Sequence, residues 1–462
     1  MEKQDAQNLS TVRNLKIGLF HLGSGMADVI TTGIWNRIMI SDLGFNATPI
    51  GLLVALRYFL SPLGVWAGRL SDSRALFGYR RLFWIWLGRA MMAISIIALG
   101  LVTATIARGD VVDAIDWVLI TLSLLLFSLG NAFSGSTFLA LIYDRTNEKQ
   151  RGRAVGIVWT FLLVGFTIGG VLFGVLLPAH AEGSTELSFT PDTLQNLFII
   201  AGLMLGTLWF ISLVGEERRS RGAVAMQAGS EHNTSLRADL RLAWSNRQTR
   251  LFFWYLGLSM LFAFSQDLIL EPFAGDVFAM EARVTTRFAA YWGSMSILGT
   301  IAFLFLSRRL KWLTNTVMNY IGVGLLVLTF VMFAVSSFAE IRQLVTPGLI
   351  LLGLGLGFWN VGTLGLMMDM SPFGRAGTFL GFWTLVVTLS RGIGVSGGGI
   401  LRDLFLQISG SHTVAYGTVF AVGAVGLCVA IVVLSRINVR QFKETYETEA
   451  ATPEAVFAGA MD

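Results

Sequence analysis

Asp28, Arg57, Asp267, Glu271 and Arg391 are ionisable residues set within long apolar stretches, or just inside their ends. If those stretches lie in hydrocarbon, each charge costs about 2.5–3.5 kcal/mol at the midplane. Such groups face protein or water, and they mark pathways, relays or ligand sites. Asp267 and Glu271 are four apart and share one helix face. Pro272 follows at once and disfavours helical geometry at Glu271, so the spacing predicts a break or kink there. A break frees carbonyls beside two carboxylates, giving a polar site for a cation, a proton or a ligand head. Two other roles are open to the same residues. The acids could pair with Arg37, Arg57 or Arg391 and lock two parts of the protein together. They could instead carry protons through a low-dielectric interior.

The surrounding elements must be membrane helices. The 462 residues are 54% hydrophobic and 14% charged, with 51 Gly, 34 Phe and 13 Trp, and mean hydropathy is +0.66. A soluble globule of this size needs more charge to cover its surface. The apolar runs are long enough to cross about 30 Å of hydrocarbon as helix, and backbone in lipid must satisfy its own hydrogen bonds. Spans are expected near 16–40, 47–68, 82–107, 113–142, 153–178, 193–215, 249–273, 284–307, 312–338, 343–368, 376–401 and 412–435. The expected fold class is an all-α membrane protein with twelve transmembrane helices.

Most of the 34 Lys and Arg fall in the loops on one side, as with Arg80, Arg81, Arg151, Arg153, Arg218, Arg219, Arg221, Arg308, Arg309 and Lys311. That bias puts both termini in the cytoplasm. It also accounts for the pI of about 9.5 without any nucleic acid partner. Residues 1–15 are polar and the first apolar run is long and interrupted, so no cleavable signal peptide is expected. The single cysteine, Cys428, lies in the last span, leaving no disulfide and no cysteine-based metal site. The expected organisation is a six-helix half over 1–215, a charged cytoplasmic link over 216–247, a second half over 248–438 and a flexible tail over 439–462.

The halves repeat one another. Asp144, Arg151 and Trp159 follow the fourth span as Asp369, Arg375 and Trp383 follow the tenth. The next helices are rich in glycine, at Gly165, Gly169, Gly170 and Gly174 and at Gly394, Gly397, Gly398 and Gly399; Asp28 is matched in position by Asp267. Two repeated six-helix halves are the architecture of major facilitator transporters. Gly165 with Gly169, Gly353 with Gly357 and Gly394 with Gly398 are small-xxx-small pairs that let backbones approach. Plain packing and a moving interface between halves would use the same residues.

Gly68-Arg-Leu-Ser-Asp72 followed by Gly78-Tyr-Arg80-Arg81 resembles the signature loop of major facilitator proteins. Gly68 allows tight helix contact, Asp72 could cap a neighbouring helix, and Arg80 and Arg81 would anchor at the headgroups. Five residues separate Asp72 from Gly78, more than the common form has. With that longer loop, the chain resembles the PucC/LhaA family of photosynthetic membrane proteins. The matching stretches are Gly18-Leu-Phe-His21, Gly25-Met26, Trp35-Asn36-Arg37-Ile-Met-Ile40 and Asp42-Leu-Gly44, then Leu56-Arg57-Tyr58, Ser61-Pro62, Trp84-Ile-Trp86-Leu-Gly88 and Gln266-Asp267-Leu-Ile-Leu-Glu271-Pro272-Phe273.

The resemblance implies assembly of light-harvesting complexes or supply of bacteriochlorophyll to them. Bacteriochlorophyll or chlorophyll would be a bound client, with light-harvesting polypeptides, the lipid bilayer and pigment-biosynthesis enzymes as partners. The location implied is a bacterial inner or photosynthetic intracytoplasmic membrane. Against that background His21, seven residues before Asp28 on one stripe of the first helix, could ligate the magnesium of a chlorin; a packed core histidine is the plainer reading. Trp35, Trp159, Trp359 and Trp383 could stack on a macrocycle. Trp84, Trp86, Phe252, Phe253, Trp254, Tyr255 and Trp312 fit an interfacial belt. Gly353, Gly355 and Gly357 sit in an apolar span and form no phosphate loop; with no nucleotide motif or catalytic triad, neither an enzyme nor a redox or nucleotide cofactor is expected. Two further functions stay open: a proton-coupled transporter of a small molecule, and a pigment-free scaffold for antenna polypeptides.

Overall fold

The computed structural model describes residues 9–73, 76–109, 112–146, 148–178, 189–217, 244, 246–370, 376–439 and 441–442. The expected link over 216–247 falls mostly outside these residues, and the expected tail over 439–462 almost wholly so. Among the described residues the chain is helical apart from its turns and one isolated β-bridge, Leu76 with Tyr79. In order the helices are α1 (Thr11–Asp28), α2 (Trp35–Arg37), α3 (Ala47–Phe59), α4 (Pro62–Ser73), α5 (Leu82–Ala107), α6 (Ala114–Arg145), α7 (Glu148–Leu176) and α8 (Pro191–Leu213). They continue with α9 (Arg247–Ala263), α10 (Leu270–Phe278), α11 (Ala282–Thr285), α12 (Phe288–Arg309), α13 (Asn315–Phe338), α14 (Val345–Asp369), α15 (Ala376–Ser409) and α16 (His412–Leu434).

Local chemistry sets several of the boundaries. Asp113 accepts from the amides of Ile115 and Asp116 while Asp116 accepts from the Asp113 amide, a reciprocal cap that starts α6. Thr190 caps α8, which has Pro191 in its first turn, where a missing N–H costs nothing. Ten segments among the described residues are long and apolar enough to cross a membrane. The stretches over 11–42 and 247–278 are not among them, and these are the two that carry Asp28, Asp267 and Glu271. Each is interrupted part-way along.

Glycine decides how closely the helices approach. A Cβ on Gly165 would collide with the carbonyl of Leu22 in α1, and one on Gly394 or Gly398 would collide with the carbonyls of Leu261 and Ser265. A Cβ on Gly353 or Gly357 of α14 would meet the carbonyls of Trp292 and Ser296 in α12. All three small-xxx-small pairs therefore pack helices within one half. The seam between residues 11–213 and 247–434 uses other glycines. Gly170 and Gly174 of α7 lie against Ala290 and Arg283, Gly399 of α15 against Ala47, and Gly51 of α3 against Val395 and Ser396. So the two roles that one glycine pattern left merged are separate in space.

Those seam contacts gather toward one end of the bundle, near the turns at 43–46, 279–281 and 410–411. At the opposite end, where the basic loops lie, a Cβ on Gly152, Gly156 or Gly381 would meet nothing within 4 Å. The described contacts between the halves close the bundle at the first end. Several aromatics expected at an interfacial belt pack inward instead: Phe252 and Tyr255 are fully buried, and Trp84 and Phe253 nearly so. Trp254 and Trp312 do face outward, at 55% and 60% exposure. Aromatic content near a span end does not reveal which side of the helix each ring occupies.

Candidate functional site

The first interruption follows from hydroxyls that bond back to their own helix. Thr31 and Thr32 donate to the carbonyls of Ala27 and Asp28 at 2.7 and 2.6 Å, a pattern that bends helices. From Val29 to Ile34 the chain widens to i→i+5 pairing, and it does so again from Ile38 to Asp42; such segments are frequent at functional sites. In the second interruption α9 ends at Ala263 and α10 starts at Leu270, with Pro272 in its first turn. A helix running through would drive the proline ring into the carbonyl of Leu268. The break therefore falls over 264–269, ahead of the proline. Asp267 lies in the turn, whereas Glu271 is helical, which corrects the expectation that both sit on one continuous helix face.

The interruptions face each other across a cavity of about 530 Å³, counted with its open mouth. Asp28, Arg57, Asp267, Glu271 and Arg391 all line it, together with Phe166, Phe264 and Trp292. The structure thus brings all five intramembrane charges into one site. Arg57 donates from Nη1 to Asp28 Oδ1 at 2.6 Å, and Arg391 from Nη2 to Asp267 Oδ2 at 2.7 Å. Gln266 Nε2 donates to the other Asp267 oxygen at 2.7 Å. The expected lock between halves is not how these acids pair, because each bonds to an arginine of its own half. Tyr58 provides the link instead. Its hydroxyl accepts from Arg57 Nη2 at 2.6 Å, and its ring lies 4.7 Å from the Arg57 guanidinium and 5.1 Å from that of Arg391.

Glu271 stands apart. It is 6% exposed, and among the described residues its carboxylate forms no ion pair or side-chain hydrogen bond. Across the cavity it meets Gly33, where an added Cβ would sit 3.7 Å from Oε1.

The other expected site residues separate from this cluster. Trp35 is fully buried, donates from Nε1 to Thr103 Oγ1 at 2.9 Å and packs in the core, and it is not among the residues that line this cavity, which corrects the expectation that it faces the site. Trp383 is half-buried, and its indole N–H has no partner among the described residues. His21 lies against Phe138 and Trp159 at 4.9 and 5.7 Å, and its Nδ1 is buried without a hydrogen bond. A free imidazole nitrogen is what an axial magnesium ligand requires. The central cavity suits an apolar macrocycle poorly, since five charged side chains line it.

The signature loop departs from its expected roles. Gly68 packs near Ser136 in α6, and Gly78 takes the left-handed conformation at φ 85°. The amides of Arg80, Arg81 and Leu82 all donate to the Glu217 carboxylate, at 2.7, 3.0 and 2.8 Å. Glu217 thus caps the start of α5; the expected capping role of Asp72 falls on a side chain outside the described residues. Arg81 is 5% exposed and bonds Ser71 Oγ at 2.6 Å and Asp144 at 3.0 Å, so it holds the loop rather than reaching headgroups. Arg80 is half-exposed and also bonds Asp144, at 3.4 Å.

Two features carried no clear signal in the chain. Arg89 in α5 is 3% exposed and wedged between Phe20 and Trp209; among the described residues it forms no ion pair, bonds Met92 Sδ at 3.3 Å, and feels Asp28 only through space. An arginine within an apolar run looks like a helix-end anchor until the fold buries it. Replacing one buried charge that has no ionic partner leaves nothing orphaned. Arg89→Met is therefore expected to leave the thermal midpoint unchanged or to raise it, whereas Arg57→Met, which strands Asp28, is expected to lower it. Melting curves of the two variants in one detergent check the contrast.

The second feature is an ionic cluster at the closed end. Arg402 donates to Asp276 at 2.8 Å and to Asp403 at 2.9 Å, and Tyr416 donates to Asp276 at 2.6 Å. Asp403 in turn accepts from the amides of Ala47 and Thr48 at 3.0 and 2.7 Å. Asn46, at the cap position of α3, makes no capping bond of its own, so a carboxylate from the other half caps that helix. Arg37 completes the closure, paired with Asp42 at 2.9 Å and bonded to the Met280 carbonyl at 2.8 Å. Sequence separation hid this cluster, since Asp403 and Ala47 are 356 positions apart. Among the described residues no cluster of three or more His, Cys, Asp or Glu could hold a metal ion.

An all-helical bundle with a charged central cavity, closed at one end, has the architecture of major facilitator transporters. The chain superposes on a bacterial homolog of the human lysosomal transporter Spinster, in an inward-facing and occupied conformation, with TM-score 0.68 at 15% identity, covering 95% of this chain and 98% of that one. Residues 34–442 match the PUCC protein family, and the chain belongs to that family. It is 27% identical to Protein PucC of Rhodovulum sulfidophilum over 408 residues, 86% of each chain. It is 28% identical over 430 residues to the "Bacteriochlorophyll synthase 44.5 kDa chain" of Rhodobacter capsulatus, covering 91% of this chain and 94% of that one. The family resemblance read from the first, second and seventh spans is borne out.

Proposed function

We propose that this protein assists assembly of light-harvesting complexes by binding a (bacterio)chlorophyll, or a pigment-loaded antenna polypeptide, within the bilayer and passing it on. In this reading twelve helices cross the membrane in two halves, with both termini and the basic loops in the cytoplasm. The membrane is the cytoplasmic or photosynthetic intracytoplasmic membrane of a bacterium. The protein works as a carrier without catalysing a reaction. The observation that carries the reading is family membership over nearly the whole chain.

Physical chemistry favours the lateral, lipid-level surface over the central cavity for such a client. A tetrapyrrole with a long apolar tail gains by burying apolar area, on the order of 25 cal/mol per Å² at most. The cavity offers it mainly carboxylates and guanidiniums. Purification in mild detergent from a phototroph, followed by absorption spectroscopy, tests the proposal. Bound chlorin supports it, and a colourless preparation without antenna polypeptides overturns it.

His21 is the candidate magnesium ligand, on the strength of its unpartnered Nδ1. His21→Leu is expected to weaken pigment retention about tenfold, as loss of groups that support a metal site does. The ratio of pigment to protein absorbance after purification reports it, and an unchanged ratio removes His21 from the site. The second reading is proton-coupled transport of a small molecule, favoured by the charged cavity and by a fold shared with transporters. Proton-dependent solute uptake into vesicles, with no pigment bound, would select it.

A further inference from the structure

The charges lining the central cavity do not balance. Three carboxylates, Asp28, Asp267 and Glu271, face two guanidiniums, Arg57 and Arg391. Each arginine is already engaged by an aspartate, at 2.6 and 2.7 Å. Glu271 is left over, 94% buried by its 6% exposure, facing the cavity with no partner among the described residues. Arg37 is the other cation close enough to act on it through space. That arginine is held by Asp42 and the Met280 carbonyl and lies flat on Gly275. Among the described residues Arg37 acts on Glu271 only through space, and no side chain forms an ion pair with it.

The walls beside this carboxylate are aromatic. The packed pair Phe166–Trp292, with ring centroids 4.7 Å apart, lines the same cavity, as does Phe264, whose ring already carries the Arg391 guanidinium at 4.0 Å. A carboxylate set among π faces is the constellation that receives organic ammonium groups, which take charge from the acid and quadrupole attraction from the rings. Most of the cavity's space lies in its open mouth, so its enclosed part has room for a small charged group such as an ammonium and the rest of a ligand would extend toward the mouth.

We propose that the cavity is a binding site for a small organic cation, whose ammonium group pairs with Glu271 while its apolar body lies against Phe166 and Trp292. This site is separate from any pigment-binding surface and does not depend on one.

Equilibrium binding of tritiated phenethylamine to the purified full-length protein tests it, by scintillation proximity near neutral pH, where the probe is an ammonium ion. Saturable binding is expected, competed by unlabelled phenethylamine but not by 2-phenylethanol, its neutral counterpart of similar shape. Glu271→Gln removes the charge at constant volume and is expected to weaken binding at least about tenfold. Glu271→Asp keeps the charge and is expected to restore most of it. Unchanged helicity and elution establish that both variants are folded. The comparison of charged and neutral competitors in the wild-type protein stands even if neither variant folds. Equal competition by 2-phenylethanol, equal affinity in a folded Glu271→Gln protein, or no saturable binding at millimolar probe would each overturn the proposal. Pigment content can be scored in the same preparations, so its loss and the loss of amine binding are told apart.

Discussion

Arg402→Met is expected to destabilise the protein by about 3–5 kcal/mol, the cost of removing one partner from a buried ionic group. The guanidinium is 4% exposed and holds two carboxylates, Asp276 and Asp403, each 7% exposed. Methionine fills similar space but leaves both acids without their cation, and Asp403 also caps α3 from across the seam. The loss should appear as a lower thermal midpoint in detergent, and as a proteolytic site opening near residues 43–47. Replacing Arg402, Asp276 and Asp403 together with apolar residues should recover only part of the stability, because no buried charge is then left alone but the Ala47 and Thr48 amides lose their acceptor. A single variant melting like the wild type would show that the cluster does not hold the closed end.

The second large effect concerns the central site. Asp267→Asn is expected to lower antenna yield while the protein stays in the membrane at normal level. The substitution keeps shape and the neighbouring Gln266 but takes the negative charge from Arg391, which binds it through both Nε and Nη2. Charge-assisted hydrogen bonds of this kind are worth about 1.5–3 kcal/mol, so an equilibrium that depends on the pair shifts about tenfold or more. Near-infrared absorbance of membranes, normalised to protein level by immunoblot, reads the outcome. Asp267→Glu should retain more activity than Asp267→Asn. Normal antenna yield in Asp267→Asn would remove this aspartate from the working site.

Asp28, Arg57, Asp267, Glu271 and Arg391 were legible as one site because ionisable groups are costly in lipid and must converge on protein or water. The class of residue was enough to identify them. Their pairing was not, since the seventh segment breaks ahead of Pro272 and the first widens at Thr31 and Thr32. Small changes of helical pitch rotate every later side chain, and hydropathy cannot register them. Arg89, Arg402, Asp276 and Asp403 escaped notice for a different reason. They lie close to span ends or alone in apolar runs, where snorkelling to an interface is the default expectation. Burial is a property of the neighbours, and those neighbours are far away in the chain. Trp35 failed in the opposite sense: its place beside polar residues suggested a ligand, while Thr103, 68 positions on, satisfies its indole.

Tyr58 bears on how the two halves can separate. Its ring lies 4.7 and 5.1 Å from guanidiniums that belong to opposite halves, two like charges close together in a medium that screens poorly. The electron-rich face of a phenol lets both cations tolerate that proximity. Prising the halves apart at this level would take the Tyr58 ring from Arg391, which keeps Phe264 of its own half at 4.0 Å, while Arg57 keeps both the ring and the phenolic oxygen. The parting would then be uneven, with the tyrosine travelling beside Arg57 and Arg391 retreating with its own aspartate.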